Sequence, residues 1–152
     1  MIEVINSKTK VKIKKLNDKA IIPTSGSEYA AGYDLYACTN TPIVIAPHET
    51  VMIGTGLAIE TPNGYASLIF ARSGLASKQG LAPANKIGLV DSDFRGEVKV
   101  ALHNHSNIPQ MINPMERIAQ LVIMPYLPVE FEETDELSET KRGSGGFGST
   151  GK

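Results

Sequence analysis

An all-β domain, built as a sandwich, jelly roll or barrel with one short helix, is the fold class this sequence predicts, and three observations predict it. Nine prolines punctuate the chain, its apolar segments are short, and no stretch sustains a helical period. Apolar residues recur instead at every second position or in brief continuous runs, the two patterns of strands half or fully buried in a sheet. At 152 residues and 41% hydrophobic content the chain has the size of one domain with one modest core.

The elements follow in order. Val11 and Ile13 alternate with Lys10, Lys12 and Lys14, which reads as a first strand. The lysines from Lys8 to Lys15 suit the solvent face of an edge strand, where they discourage pairing with other chains. They suit a nucleic-acid patch less well, because the net charge is -1 and nothing global points to a polyanionic partner. Val51 to Ile59, Tyr65 to Phe70 and Ile118 to Met124 read as further strands, and Val98, Val100 and Leu102 alternate with Lys99 and Ala101 in another. One helix is expected from Ser73 to Gln79, between Arg72 and Gly80. The core, residues 1–128, should end near Pro125 to Pro128. An acidic linker, 129–141, and a glycine-rich lid, 142–152, should follow.

Cys38 is the single cysteine, which excludes an internal disulfide and a cysteine-based zinc site and fits a reducing compartment. The opening MIEVINSKTK has no apolar signal core and no run approaches a membrane span, so the expectation is a soluble, cytoplasmic protein without a membrane partner. His103 and His105 share one strand face by period two, yet no third ligand stands near them in sequence. Asn104 heads an N-x-S sequon that has no meaning in a cytosolic protein.

The end of the chain, Arg142 to Lys152, is its most unusual part: five of the nine residues from Gly143 to Gly151 are glycine. Such a run cannot offset the backbone entropy of ordering itself. A polyanion could order it, since bare N–H groups can converge on phosphate oxygens while Arg142 adds a charged fork and Phe147 a flat ring. The pattern suggests a lid for a ligand with both phosphate and an aromatic base; the bland alternative is a disordered tail. Dinucleotide spacing at Gly143, Gly145 and Gly148, and a partial P-loop at Gly146, Gly151 and Lys152, are rejected on context. Each needs a preceding strand and a following helix, and here the chain simply ends. From Pro128 the segment could reach at most roughly 46 Å, enough to close a pocket on another subunit.

Three further segments have possible chemistry. GLVDSDFRGE, Gly88 to Glu97, reads as a β-hairpin with a polar mouth. Its exposed backbone could read the edge of a base and Asp91 could act as a general base, against the alternative of a solvated turn. Arg72, Ser73 and Gly74 open the expected helix, where fork, hydroxyl and unpaired N–H groups could hold phosphate, against a plain N-cap. Asp34, in AGYDL, could attract hydrated magnesium or pair with a cation at a subunit contact, against a simple turn aspartate.

In this order, AGYDL (Ala31 to Leu35), ARSGL (Ala71 to Leu75), GLVDSDFRGE, ERIAQLVI (Glu116 to Ile123) and RGSGGFGSTG (Arg142 to Gly151) resemble the trimeric dUTPase family, the deoxyuridine triphosphate nucleotidohydrolases. The resemblance covers nearly the whole chain. It implies a jelly-roll-like β domain in a homotrimer with a C-terminal arm and three active sites at subunit contacts. It also implies hydrolysis of dUTP to dUMP and pyrophosphate with Mg2+, keeping uracil out of DNA and supplying dUMP for thymidylate synthesis.

Residue by residue, the resemblance gives Asp91 the activation of the attacking water. Asn85, Leu89, Val90 and the backbone near Lys99 line the uracil and deoxyribose pocket. Arg72, Ser73, Gly74 and Gln120 contact phosphate, and Asp34 stands near the metal, through water. Arg142 neutralises developing charge, Phe147 covers the uracil, and Gly148 gives backbone access. Phe94 stands where the family commonly has Tyr, keeping the ring against the sugar without the phenol; Ala71 stands where it often has Pro. Two alternatives stay open: a dCTP deaminase of the same fold, which needs a carboxylate at the cytosine amino group, and a non-hydrolytic nucleotide-sensing or protein-binding module.

Overall fold

Twelve short strands and one helix make up the computed structural model, which describes residues 8–149 and 151. The largest sheet runs β2 (Thr24–Ser25), β3 (Tyr33–Tyr36), β12 (Arg117–Pro125), β7 (Tyr65–Phe70), β9 (Gly88–Val90). A second runs β5 (Thr50–Gly54), β10 (Lys99–Asn104), β8 (Leu81–Pro83). Two ribbons, β1 (Lys12–Lys15) with β6 (Leu57–Glu60) and β4 (Ile43–Ile45) with β11 (Gln110–Ile112), complete it. Every pairing is antiparallel.

One core joins these sheets. Leu35, Ile69, Ile118 and Leu121 from the first meet Ile53, Leu81, Val100 and Leu102 from the second. This is the all-β, jelly-roll-like architecture expected, and the helix α1 (Ser73–Gln79) has the expected bounds. It buries Leu75 and stops at Gly80, whose φ of 68° closes the last turn by donating to Leu75 O. The β1 lysines are solvent-facing, with Lys12 Nζ 3.3 Å from Glu60 Oε2.

Two expectations are corrected. The run from Val51 to Ile59 is two strands, because Gly56 turns the chain at φ 68°; a Cβ there would sit 2.9 Å from both the Ala20 methyl and Cys38 Sγ. The segment from Gly88 to Glu97 is not a closed hairpin either. β9 pairs with β7, Val90 opposite Ser67, while β10 pairs with β5 and β8, so residues 91–98 are a loop between two sheets. The partner of β9 is set by apolar packing on β7, which no local turn signal reveals.

Strands β2, β3, β4, β8 and β11 went unread, being two to four residues long, too short to show a period. β12 has a shift of register between Arg117 and Ala119. Ile118 and Ala119 are consequently both buried, and Gln120 comes to stand opposite Asp34. After Tyr126, whose N–H donates to Gly64 O at 3.1 Å, no strand or helix follows among the described residues. Residues 1–7, assigned to the core, and Thr150 and Lys152, assigned to the lid, lie outside the described residues.

Candidate active site

Two recesses gather half of the residues singled out in the sequence. The first, about 520 Å³, is lined by Leu89, Val90, Asp91, Phe94 and Lys99 together with Met52, Glu97 and Val98. Leu89, on the outer face of β9, is 65% exposed, while Val90 lines the recess from a half-buried position against the core. A turn closed by Phe94 N–H to Asp91 O, at 3.2 Å, then brings Asp91 and Phe94 to the rim. The Phe94 ring lies over Gly96, where a Cβ would be 2.7 Å from its Cζ.

The second recess, about 700 Å³, is lined by Asp34, Ala71, Lys86 and Gln120 among others. Gln120 stands across the β12–β3 ladder from Asp34 and donates from Nε2 to Ala71 O at 2.9 Å. Gly32 makes room for it, because a Cβ there would collide with Gln120 Oε1. At its edge Arg72 Nε donates to Asp34 Oδ1 at 2.9 Å, and Arg117 lies 3.4 Å from Oδ2. Arg72 also reaches Arg117 O at 3.4 Å; the two bonds leave N–H groups of its five-donor fork for other acceptors. Ser73 and Gly74 are exposed at the start of α1, and Asn85 is exposed on the turn before β9, its carbonyl accepting from Ile87 N–H at 2.7 Å.

The described residues do not fit a magnesium ion ligated by the protein. Both Asp34 oxygens already face guanidinium groups in the same chain, and no group of three His, Cys, Asp or Glu is placed to hold a metal among the described residues. His103 and His105 do stack edge to face, ring centroids 4.5 Å apart, far short of a ligand set. Arg142 and Phe147 stand apart from both linings. Arg142 Nε donates to Gly145 O at 2.8 Å, Phe147 is wholly exposed at φ 52°, and Gly148 follows at φ 85°.

The model of the dUTPase family matches residues 18–151. The chain belongs to the dUTPase family. The deoxyuridine 5'-triphosphate nucleotidohydrolase of Nautilia profundicola is 52% identical over 94% of this chain and 99% of its own. That of a Hydrogenobaculum species is 49% identical over 93% and 98%. Among solved structures, a mutant of the Staphylococcus bacteriophage 80alpha dUTPase with dUpNHpp superposes with a TM-score of 0.86 at 27% identity, over 95% of this chain and 99% of that one. Hydrolysis of dUTP is the dUTPase family function and the activity of this chain. No helix is long and apolar enough to cross a membrane among the described residues.

Met52 and Glu97 were missed in the dUTPase sequence. Met52 could have been found, since the alternation that buries Ile53 turns it outward. Glu97 could not, because its place depends on two glycines distant in sequence: Gly56, whose N–H donates to its Oε1, and Gly54, which leaves room for it.

Proposed function

We propose that this dUTPase-family chain breaks the bond between the α-phosphorus and its bridging oxygen to the β-phosphate, with Asp91 as general base. Water adds to the α-phosphorus, its proton passes to the Asp91 carboxylate, and pyrophosphate departs in line. The observation behind this is the shared recess of Leu89, Val90, Asp91, Phe94 and Lys99, where the base-reading backbone, the sugar-facing ring and the carboxylate stand together. Asn85 belongs to the uracil end. Phosphate falls to Arg72, Ser73, Gly74 and Gln120, and to the arm, with Arg142 meeting developing charge, Phe147 over the uracil and Gly148 giving access.

Because Asp34 and Gln120 line a different recess from Asp91, we infer that one site draws on more than one chain and that the enzyme is a homotrimer. Asp34 holds Arg72 in this reading. Magnesium comes with the triphosphate, whose charge it reduces, and Asp34 stands behind water. A free Cys38 favours the cytoplasm. Asp91→Asn tests the core of the proposal: nucleotide binding should persist while turnover falls about 10²- to 10⁴-fold, and near-native turnover would remove Asp91 from the role.

A further inference from the structure

Residues 91–98 join the two main sheets and belong to neither, yet they hold Asp91 and Phe94 at the rim of the recess. Two side chains of the loop itself fasten it. Arg95 turns back on the turn: its NH1 donates to Ser92 O at 2.6 Å and to Phe94 O at 3.2 Å. Its NH2 reaches Glu60 Oε1 on β6 at 3.2 Å. Glu97 secures the other end. Its Oε1 accepts from Gly56 N–H at 2.9 Å, and its Oε2 lies 3.9 Å from Lys99 Nζ. Two glycines allow this, Gly56 through its positive φ and Gly54 because a Cβ would collide with Glu97 Oε1. Backbone bonds finish the seam, Val98 N–H to Leu57 O at 2.8 Å and Thr55 N–H to Val98 O at 3.1 Å.

We propose that Arg95 and Glu97 are positioning residues, which fix the loop between β9 and β10 on the β5–β6 corner and so set where Asp91 and Phe94 stand. Neither needs to touch the substrate for this. The proposal rests on Asp91 being the base. An ion pair as exposed as Arg95 with Glu60 adds little to stability by itself, whereas a planar fork with NH1 on two carbonyls of the turn and NH2 on Glu60 ties the shape of that turn to β6. The consequence belongs in kcat, since small displacements of a reacting group cost rate steeply.

Steady-state kinetics and thermal melting of Arg95→Ala, Asp91→Asn and the double variant provide the test. Arg95→Ala should lower kcat roughly 10- to 100-fold, with a smaller rise in KM as Phe94 shifts and the melting temperature little changed, and should add nothing to the loss of kcat in the Asp91→Asn background. Native kcat in folded Arg95→Ala overturns the proposal; so does a full multiplicative loss in the double variant, which would mean that Arg95 acts on the substrate directly. Near-native turnover in Asp91→Asn removes the general-base reading instead, and the brace is then judged on Arg95→Ala alone. Should Arg95→Ala not fold, Arg95→Lys, whose single nitrogen cannot hold the turn and Glu60 in the geometry of the fork, is read the same way. For Glu97 the comparison is Glu97→Gln, which still accepts from Gly56, with Glu97→Leu, which cannot. Only the second should lower kcat, and equal values for the two overturn its part.

Discussion

Phe94 and Gly96 act as a pair. The ring can lie down across the loop only because residue 96 has no Cβ, and it then forms part of the wall next to Asp91. If, as proposed, the sugar lies against this ring, an added 2'-hydroxyl is excluded by volume with no bond to the sugar, so Phe94→Tyr should leave the dUTP to UTP ratio of kcat/KM nearly unchanged. Phe94→Ala should erode it, and Gly96→Ala, which pushes the ring into the recess, should raise KM for dUTP. A large gain in discrimination from Phe94→Tyr would show that the steric account is incomplete. The resemblance indicated the ring at 94. That glycine two residues later supports it was not legible, because in sequence Gly96 reads only as the close of a turn.

At the scale of elements, what could be read was what is local. The β7 run and α1 with its glycine stop are dictated by residues adjacent in sequence, and both have the expected bounds. The loop after β9 was misread because its form depends on Glu60 and Gly56, more than thirty residues away. Asn104 is similar: dismissed as a sequon, it is buried and bonds Ile45 O, Ile108 O, Ser106 N–H and Ser106 Oγ, tying β10 to β4. At the same end of β10, His103 pairs across the ladder with Thr50, Nδ1 2.8 Å from Oγ1. Burial pushes its pKa below 6.5, and the charges of His105, His48 and Lys86 push in the same direction. The unfolded chain therefore takes up this proton first as pH falls. The stability due to neutral His103 should be complete above 6.5 and decline below it. Urea midpoints from pH 7.5 to 5.5 should fall less steeply in His103→Gln than in the native chain, and identical slopes would count against a lowered His103.

At the scale of the whole molecule, Asp34 and Gln120 line one recess and Asp91 another, so the proposed site shared between chains predicts complementation. Mixed trimers of Asp91→Asn and Arg142→Ala should regain activity, and a lack of recovery in verified mixed trimers would argue for sites built within one subunit. The arm makes the same point more sharply. Its hydrogen bonds among the described residues, from Thr134 to Gly151, stay within the arm, and Phe147 is wholly exposed. Nothing in the apolar core involves it, so deletion of residues 141–152 should leave the melting temperature and the proposed trimer nearly unchanged. Activity should be mostly lost if, as proposed, the arm contributes Arg142, the Phe147 ring and phosphate-directed N–H groups, and closes to expel water that weakens charge interactions. Ordering such a segment costs about 1–2 kcal/mol per residue, a cost that the proposed ligand, offering both base and triphosphate, would offset. Proteolysis at Lys141 and Arg142 should accordingly slow when a non-hydrolysable dUTP analogue and magnesium are added. Equal cleavage with and without them, together with full activity after truncation, would sink the lid.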